Sequence, residues 1–323
     1  MDNTPLNPAA LNPAALNLPA LNPAALPARF VGLDIGGSKT RGIVWSEGVI
    51  TSDFSVGSTN VQNVTPETAA ENMATLFARL DVSEASLVYA GAGGVDTDDD
   101  AAALRSLISP FVPGAHVSVV HDTRLLLAAG GTTTGVAVIA GTGSAAWGMN
   151  QVCQEARAGG WGYLLGDEGS GYWLGREAVR YSLERMDSGK PVDELTAALL
   201  KYCQLQEPGE LIAHFHQGTT RRYWAAASPV IFGAAENGHA HASALVDQAA
   251  KDLAAMAAKV ASQLNISGPI VLGSGMGSNV PALQEAFISH LAGLGYSDVQ
   301  ILKQDPIFGI PLLVATQAHA TQG

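Results

Sequence analysis

Two segments of the chain repeat one pattern: a short apolar run, a turn of glycine and hydroxyl side chains, and a second apolar run. The turns are residues 36–40 and residues 141–144. Each pattern predicts a β-hairpin whose turn can hold phosphate through backbone N–H groups, helped in the first turn by the Ser38 and Thr40 hydroxyls. The first turn lacks the Walker spacing, and a strand follows it instead of a helix. The repetition predicts two related half-domains that bind one polyphosphate between them.

A third segment, residues 158–173, combines six glycines with a single pair of acidic residues, Asp167 and Glu168. The glycines leave backbone N–H and C=O groups accessible to a ligand, and the acidic pair adds polar groups where a helix is expected to begin. The alternative is a glycine-rich loop in which Asp167 caps that helix. Because a cap needs one residue and not the whole run, the pattern favours a ligand-binding loop.

Between the two hairpins, the apolar run 117–120 leads into His121 and Asp122. Ligands of open α/β sheets bind outside the carboxyl ends of the strands, which makes Asp122 a candidate general base. The alternative is that Asp122 caps the helix that carries Leu125. A further apolar run, residues 270–272, leads into a glycine-rich turn that could lie against a flat ring or a ribose.

The composition excludes several classes of partner. The chain has 323 residues, of which 47% are hydrophobic, and its net charge is −12. The negative charge argues against nucleic acid and anionic membranes as partners. Cys153 and Cys203 belong to no Cys/His cluster, and the eight histidines show no pattern typical of metal ligands, so we expect no zinc site. No run long enough to span a bilayer and no export signal is visible, and we expect a cytoplasmic protein.

The first residues of the chain are a low-complexity tract in which Leu-Asn-Pro-Ala-Ala recurs between Leu6 and Leu26. The prolines remove backbone donors and exclude a continuous helix, so the tract predicts a disordered or partly extended tail. The expected organisation is a tail over residues 1–28, an N-terminal α/β lobe over 29–122, and a C-terminal α/β lobe with a helical insertion over 123–323. Within the insertion, the alanine-rich run 240–264 predicts an amphipathic helix that forms part of the core.

Taken together, these motifs resemble those of the N-acetylglucosamine kinases and their relatives in the BadF/BadG/BcrA/BcrD ATPase group. The resemblance runs from about Phe30 onward, and the Gly159-Gly-Trp-Gly and Gly166-Asp-Glu-Gly-Ser segments are its most specific element. It implies a two-lobed, actin-like (ribonuclease H-like) α/β ATPase fold with a cleft between the lobes that closes on substrate. It also implies an enzyme that uses ATP and Mg²⁺, and a homodimer.

The resemblance assigns a role to each matching residue. Asp122 falls at the position of the catalytic base. The residues implied in sugar binding are Asn60, Gly94, Asp122, Ser144, Ala145, Gly160, Trp161, Gly162 and Asp167. Those implied in ATP binding are Gly36, Gly37, Ser38, Lys39, Thr40, Thr142, Gly143, Gly273, Gly275 and Met276. Asp34 is a candidate partner of Mg²⁺ through water, although it could equally be a turn residue.

The implied activity is phosphorylation of an amino sugar, N-acetylglucosamine at its 6-hydroxyl. Ala92 and Ala145 stand where relatives can carry polar side chains, which leaves glucosamine and N-acetylmuramic acid open as alternatives. An iron–sulfur activator ATPase of the same group is a remote alternative, because two distant cysteines do not match its cluster ligands. A non-catalytic sugar sensor would need a DNA-binding module, which the proline-rich tract cannot supply.

The tail prediction can be tested by removing residues 1–27. We expect the melting temperature to change by less than a few degrees and the activity to persist, because the proline repeats are expected to lie outside the packed core. Thermal unfolding and an activity assay of the truncated chain measure both effects. A larger loss of stability would show that the tail packs on the body.

Overall fold

The computed structural model describes residues 26–95, 97–217 and 220–320. The chain forms two compact units, the first comprising Met1–Thr133 with Gln304–Gly323 and the second comprising Thr134–Lys303. Residues 1–25 of the predicted tail lie outside the described residues. Residues 26–28 are described: Leu26 packs against the core of the first unit, and the Ala28 carbonyl accepts a 2.7 Å hydrogen bond from Glu47 N–H. Residues 26–28 therefore belong to the first unit and not to the predicted tail, and removal of residues 1–27 also removes the contact of Leu26.

The structure contains ten strands and twelve α-helices within the described residues. The strands are β1 (Arg29–Ile35), β2 (Lys39–Ser46), β3 (Val49–Gly57), β4 (Leu87–Ala92), β5 (His116–His121), β6 (Gly135–Ala140), β7 (Ser144–Met149), β8 (Glu155–Gly159), β9 (Ile270–Gly273) and β10 (Val299–Ile301). The helices are α1 (Pro66–Phe77), α2 (Asp98–Ile108), α3 (Asp122–Ala129), α4 (Gly171–Asp187), α5 (Glu194–Cys203), α6 (Glu210–Gln217), α7 (Arg221–Ala225), α8 (Ser228–Glu236), α9 (Ala240–Leu264), α10 (Ser274–Asn279), α11 (Pro281–Gly293) and α12 (Ile310–Ala320).

The two units have the same sheet topology. In the first, the strand order is β3-β2-β1-β4-β5; in the second, it is β8-β7-β6-β9-β10 when read in the equivalent direction. In each sheet the first three strands form an antiparallel meander, and the last two run parallel to the first. The prediction of two related α/β half-domains of the actin-like type is therefore confirmed, and both predicted hairpins are present.

The sheet of the first unit is covered on both faces, because alternate residues of a strand point to opposite sides. Val31 and its neighbours on one face pack against α1 and α2. Phe30 and Trp45 on the other face stack at 5.1 Å and pack against α3 and α12. Gly91 is required beneath α3, because a Cβ at that position would lie 2.4 Å from Leu125 Cδ1.

The helices α4 to α9 form the predicted insertion between the third and fourth strands of the second unit. The longest, α9, has the predicted bounds and buries one side of its surface, which includes Ala249, Leu253 and Ala257. The small alanine side chains allow α9 to approach β6, β7 and β8 closely while it also packs against α8 and α11. This amphipathic run is a core element, as predicted.

The predicted boundary between the lobes at Asp122 needs correction. Helix α3 belongs to the first unit, because Leu125 and Ala128 are buried against the Phe30 face of its sheet. Residues from Gln304 onward also return to the first unit, since α12 packs on α3 and the Gln304 side chain donates a 2.6 Å hydrogen bond to the Ala129 carbonyl. Sequence order alone does not reveal this return, because the chain crosses the second unit in between.

Asp193 organises a polar cluster within the helical insertion. Its Oδ2 accepts a 2.6 Å hydrogen bond from the Tyr181 hydroxyl and lies 3.1 Å from His239 Nε2, and its Oδ1 accepts a 3.0 Å bond from Thr196 N–H at the start of α5. Burial by itself raises the pKa of Asp193, but the hydrogen bonds from Tyr181 and Thr196 outweigh burial and hold the pKa below its usual range. The ionised carboxylate is the form that the fold stabilises.

We expect Asp193→Asn to lower the free energy of unfolding by about 1.5–3 kcal/mol at pH 7, since charge-assisted hydrogen bonds are lost. Because the folded pKa is depressed, this contribution is present above the unfolded value of about 3.9 and is lost as the pH falls through the folded pKa. The difference between the two proteins should therefore narrow below about pH 4. Urea unfolding from pH 3 to pH 8 measures it, with the exposed Asp187→Asn as control; a gap independent of pH would contradict the assignment.

Candidate active site

The first glycine turn connects β1 to β2 and is closed by a 3.0 Å hydrogen bond from Gly36 N–H to the Lys39 carbonyl. Gly37, Ser38 and Lys39 are exposed, as a phosphate-binding turn requires. Thr40 is fully buried, and its hydroxyl lies 2.8 Å from the Thr59 hydroxyl. The prediction that the Thr40 hydroxyl contacts phosphate therefore needs correction: this hydroxyl bonds to Thr59 inside the unit.

The segment of Ser58, Thr59 and Asn60 is tied to this turn and to the end of β4. The Ser58 hydroxyl donates to the Gly36 carbonyl at 2.8 Å, and Thr59 N–H donates to the Thr40 hydroxyl at 3.0 Å. The Asn60 side chain donates to the Gly93 carbonyl at 2.9 Å. Asn60 Oδ1 also accepts a 2.9 Å bond from Gln62 N–H, which leaves two of the four hydrogen bonds that an amide can make.

Asp122 and Asn60 converge at Gly93. A Cβ at position 93 would lie 3.1 Å from Asp122 Oδ2 and 3.9 Å from Asn60 Nδ2, so only glycine leaves this space open. Asp122 is the first residue of α3 and does not cap it, because His121 Nδ1 accepts the 3.3 Å bond from Thr123 N–H that caps the helix. Gly94, also predicted in sugar binding, follows with φ +75° and accepts a 2.9 Å bond from the Gln62 side chain.

Three carboxylates of the first unit influence one another. Burial, with the negative charges of Asp305 and Asp122, raises the pKa of Asp34 to about 7, and Lys39 opposes the rise. Asp305 accepts a 3.0 Å bond from Arg41 and lies 3.7 Å from Lys39 Nζ. Concentrated negative charge suits a cation, but no group of three or more His, Cys, Asp or Glu side chains among the described residues could hold a metal ion. The residues thus fit the predicted contact of Asp34 with Mg²⁺ through water, and not a direct protein cage.

In the second unit, the predicted sugar ligand Asp167 lies against the second glycine turn. The turn is closed by a 3.0 Å bond from Gly141 N–H to the Gly143 carbonyl, and Ser144 N–H donates to Asp167 Oδ1 at 3.3 Å. A Cβ at position 143 would lie 3.1 Å from both carboxylate oxygens of Asp167. Asp167 is buried and adopts φ +63°; Ser170, and not Asp167, caps α4 by accepting from Trp173 N–H.

The second glycine turn also contacts the start of α4 and the segment that follows β9. Gly171 N–H and Tyr172 N–H at the start of α4 donate to the carbonyls of Gly141 and Thr142 at 2.8 and 3.2 Å. A Cβ at Gly141 would lie 2.7 Å from Ser274 Oγ, which places the two segments side by side. The glycine-rich turn predicted after residues 270–272 is instead the short helix α10. Gly273 stands at its N-cap, and it contains Gly275 and Met276. Met276 is buried in the core, so any nucleotide contact there falls to the backbone.

The other predicted sugar-binding residues lie along one edge of this site. Gly160 N–H donates to the Ser144 carbonyl at 3.0 Å, and a Cβ on Gly160 would lie 3.2 Å from Ala145 Cβ. Trp161 is 58% exposed, and its ring centroid lies 4.5 Å from the Arg157 guanidinium carbon. Gly162 has φ +81°, which only glycine adopts without strain. The structure thus groups Ser144, Ala145, Gly160 and Asp167 within the second unit.

Comparison with known proteins identifies the family. Residues 31–297 match the model of the BadF/BadG/BcrA/BcrD ATPase family. The chain belongs to this family. The predicted resemblance is therefore confirmed, and the match covers every strand except β10 and the first two residues of β1.

Two curated relatives and one solved structure are similar over most of the chain. The N-acetylmuramic acid/N-acetylglucosamine kinase of Clostridium acetobutylicum is 28% identical over 89% of this chain and 98% of its own length. The N-acetyl-D-glucosamine kinase of Dictyostelium discoideum is 30% identical over 69% of this chain and 76% of its own. A crystal structure from Chromobacterium violaceum, provisionally named an N-acetylglucosamine kinase, is 25% identical with a TM-score of 0.70 over 90% of this chain and 99% of its own.

The sequence patterns did not identify two residues that the structure places beside predicted site residues, one in each unit. Asp305 joins the carboxylates of the first unit, and Arg221 Nη1 lies 3.6 Å from Asp167 Oδ2. Burial raises the pKa of Asp167, whereas the Ser144 N–H and the Arg221 charge oppose the rise. The only signal for Arg221 was its place after Thr220, which caps the five-residue helix α7. Asp305 followed the last strand, where polar residues of a sheet often bind ligands.

We expect Arg221→Ala to raise the pKa of Asp167, because a neighbouring positive charge is lost. If Asp167 binds substrate as the carboxylate, the acidic limb of kcat/KM then moves to higher pH, and KM for the sugar rises about tenfold, the equivalent of about 1.4 kcal/mol. Arg221→Lys should restore part of the loss. The adjacent, exposed Arg222→Ala is the control; identical pH profiles for the two alanine variants would show that Arg221 does not act on Asp167.

Proposed function

We propose that this chain transfers the γ-phosphoryl group of ATP to the 6-hydroxyl of N-acetylglucosamine. The chain is an ATP-dependent sugar kinase of the N-acetylglucosamine/N-acetylmuramic acid kinase type, as its family and its curated relatives indicate. The observation that carries the proposal is the convergence of Asp122 and Asn60 at Gly93, in the same unit as the first phosphate turn. A carboxylate and an amide together offer the acceptors and donors that a polyhydroxyl substrate needs.

The phosphate groups would be held by backbone and not by a large cationic site. The exposed part of the first turn supplies N–H groups and the Lys39 ammonium. The second turn, which contains Gly143, joins β6 to β7 in the same way as the first turn joins β1 to β2. Preorganised donors of this kind stabilise charge that develops on a transferring phosphoryl group. Mg²⁺, when bound, neutralises phosphate oxygens, and Asp34 and Asp305 would orient its water ligands.

Asp122 would accept the proton of the sugar hydroxyl as the hydroxyl oxygen attacks phosphorus. Its carboxylate is partly exposed, and His121 Nδ1 lies 3.1 Å from Oδ1, which leaves Oδ2 directed at the open space above Gly93. In the second unit, Asp167 would accept hydrogen bonds from sugar hydroxyls, with Arg221 and Ser144 N–H supporting its ionised form. Positioning of the acceptor and the proton transfer together lower the barrier.

Other substrates within the same reaction class remain open to test. N-acetylmuramic acid is named for the Clostridium relative together with N-acetylglucosamine, and glucosamine differs only by the acyl group.

The iron–sulfur activator is disfavoured, because Cys153 is exposed whereas Cys203 is buried in the core of the helical insertion. Within the described residues, no helix combines the length and apolar character needed to span a bilayer. A homodimer and a cytoplasmic location are further parts of the proposal.

An ADP-release assay across N-acetylglucosamine, N-acetylmuramic acid, N-acetylmannosamine, glucosamine and glucose tests the activity. We expect N-acetylglucosamine to be the best substrate of the five. The position of the phosphate is read by ³¹P–¹H correlation in the product, and 6-deoxy-N-acetylglucosamine should release no ADP. A product phosphorylated at carbon 1, or equal rates with glucose, would overturn the proposed reaction.

We expect Asp122→Asn to lower kcat by about 10²- to 10⁴-fold, because an amide keeps the shape of the carboxylate but cannot accept the proton. Binding of the sugar, measured by calorimetry, should stay within about tenfold of the parent, since some hydrogen bonds persist. The exposed Asp187→Asn controls for loss of charge alone. Retention of more than half of the parent kcat would remove Asp122 from the role of base.

A further inference from the structure

A cavity of about 260 Å³ lies in the first unit, beside Asn60, a predicted sugar-binding residue. Its floor includes Ile35 and Ala92, the last residues of the paired parallel strands β1 and β4. One wall is formed by α2 through Ala103, Leu104 and Leu107. The carboxyl ends of parallel strands are where α/β folds bind ligands, so the cavity stands at the place expected of a subsite.

The cavity adjoins the groups assigned to the acceptor. Asn60 and Gly93 line it, and the Asn60 side chain is bonded to the Gly93 carbonyl. The space above Gly93 is the space that Asp122 Oδ2 faces, at 3.1 Å from the Cβ that position 93 lacks. A sugar whose hydroxyl lies at Asp122 would therefore lie beside this cavity.

Most of the lining is apolar. Besides the floor and the α2 wall, Val61, Pro66 and Val95 face it. The polar side chains in the described lining are Thr59, Asn60, Gln62 and Asp100. The carboxylate of Asp100, the one charged group among them, accepts bonds from Thr97 N–H and hydroxyl at 2.9 and 2.7 Å.

The volume exceeds what an acetyl group fills. At about 30 Å³ for each water in the liquid, 260 Å³ corresponds to roughly nine water molecules. An acetyl group has three heavy atoms, whereas a butanoyl group has five and would bury two more methylenes against Leu104 and Leu107. Apolar chains gain free energy from such burial, in proportion to the area removed from water.

We propose that this cavity binds the N-acyl group of a 2-acylamino sugar and that it accepts acyl chains longer than acetyl. The proposal rests on the proposed kinase function and refines its substrate class to N-acylglucosamines. The amide of the substituent would lie near Asn60 and Gln62 at the polar side of the cavity, and the alkyl chain would lie against α2.

The experiment compares N-acetyl-, N-propanoyl- and N-butanoylglucosamine and glucosamine with the full chain. We expect KM to fall by up to about fourfold for each added methylene, which corresponds to about 0.8 kcal/mol, with kcat little changed. The dissociation constants of the same sugars, measured by calorimetry without nucleotide, should follow the same order.

Two variants change the cavity in opposite directions. Ala103→Leu fills part of it and should raise KM for the butanoyl sugar by more than fivefold while changing KM for glucosamine less than twofold. Leu107→Ala enlarges it and should improve N-hexanoylglucosamine relative to N-acetylglucosamine. Ala102→Leu is the matched control, because Ala102 is the neighbouring exposed residue of α2 and does not line the cavity. Melting temperatures establish that each variant folds.

The two proposals fail in different ways. Absence of ADP release with every sugar would overturn the kinase proposal, whereas the calorimetric order of the acyl series still decides the cavity. Equal or weaker binding of the butanoyl sugar, or equal effects of Ala103→Leu and Ala102→Leu, would overturn the cavity proposal.

Discussion

A buried pair of threonine hydroxyls joins the two halves of the first unit's site. The bond between Thr40 and Thr59, with the bond from Ser58 to the Gly36 carbonyl, ties the phosphate turn to the segment that carries Asn60. Asn60 in turn holds the end of β4 through Gly93. Because buried hydroxyls must find partners, these bonds fix the spacing of the phosphate turn, the acceptor groups and the cavity beside α2. Displacing any one of the three segments would leave buried polar groups without partners.

In the second unit, backbone groups fix the glycine turn to the segments around it. Its glycine turn directs two carbonyls at the N–H groups that open α4, and it directs Ser144 N–H at Asp167. The loop that carries Asp167 is thereby fixed to the turn on one side and to the helix on the other. Glycine at 143 leaves room for the Asp167 carboxylate, because a Cβ there would lie 3.1 Å from both carboxylate oxygens. The two sheets have the same strand order, but side-chain hydroxyl bonds fix the glycine turn in the first unit and backbone bonds fix it in the second.

The sequence predicted local features better than distant ones. Both hairpins, the strand before Asp122 and the bounds of α9 follow from apolar periodicity and glycine position, which act over a few residues. The hydroxyl of Thr40 and the caps at His121 and Ser170 could not be assigned, because several nearby side chains were able to make the same bond. Arg221 reaches Asp167 in the second unit, and Asp305 reaches Arg41 in the first, across long stretches of chain, and no local pattern reports such contacts. The cavity depends on side-chain volumes that packing alone decides.

The return of the chain to the first unit has a consequence for biosynthesis. Residues 134–303 form a contiguous unit that can close its core as soon as it leaves the ribosome, but the Phe30 face of the first unit is covered in part by α12, which is made after that unit. Until then α3 is the only one of the described helices that covers Phe30, Ile43 and Trp45, and the nascent chain presents an apolar surface of the kind that chaperones bind. A premature stop before Gln304 would make that exposure permanent and mark the product for proteolysis.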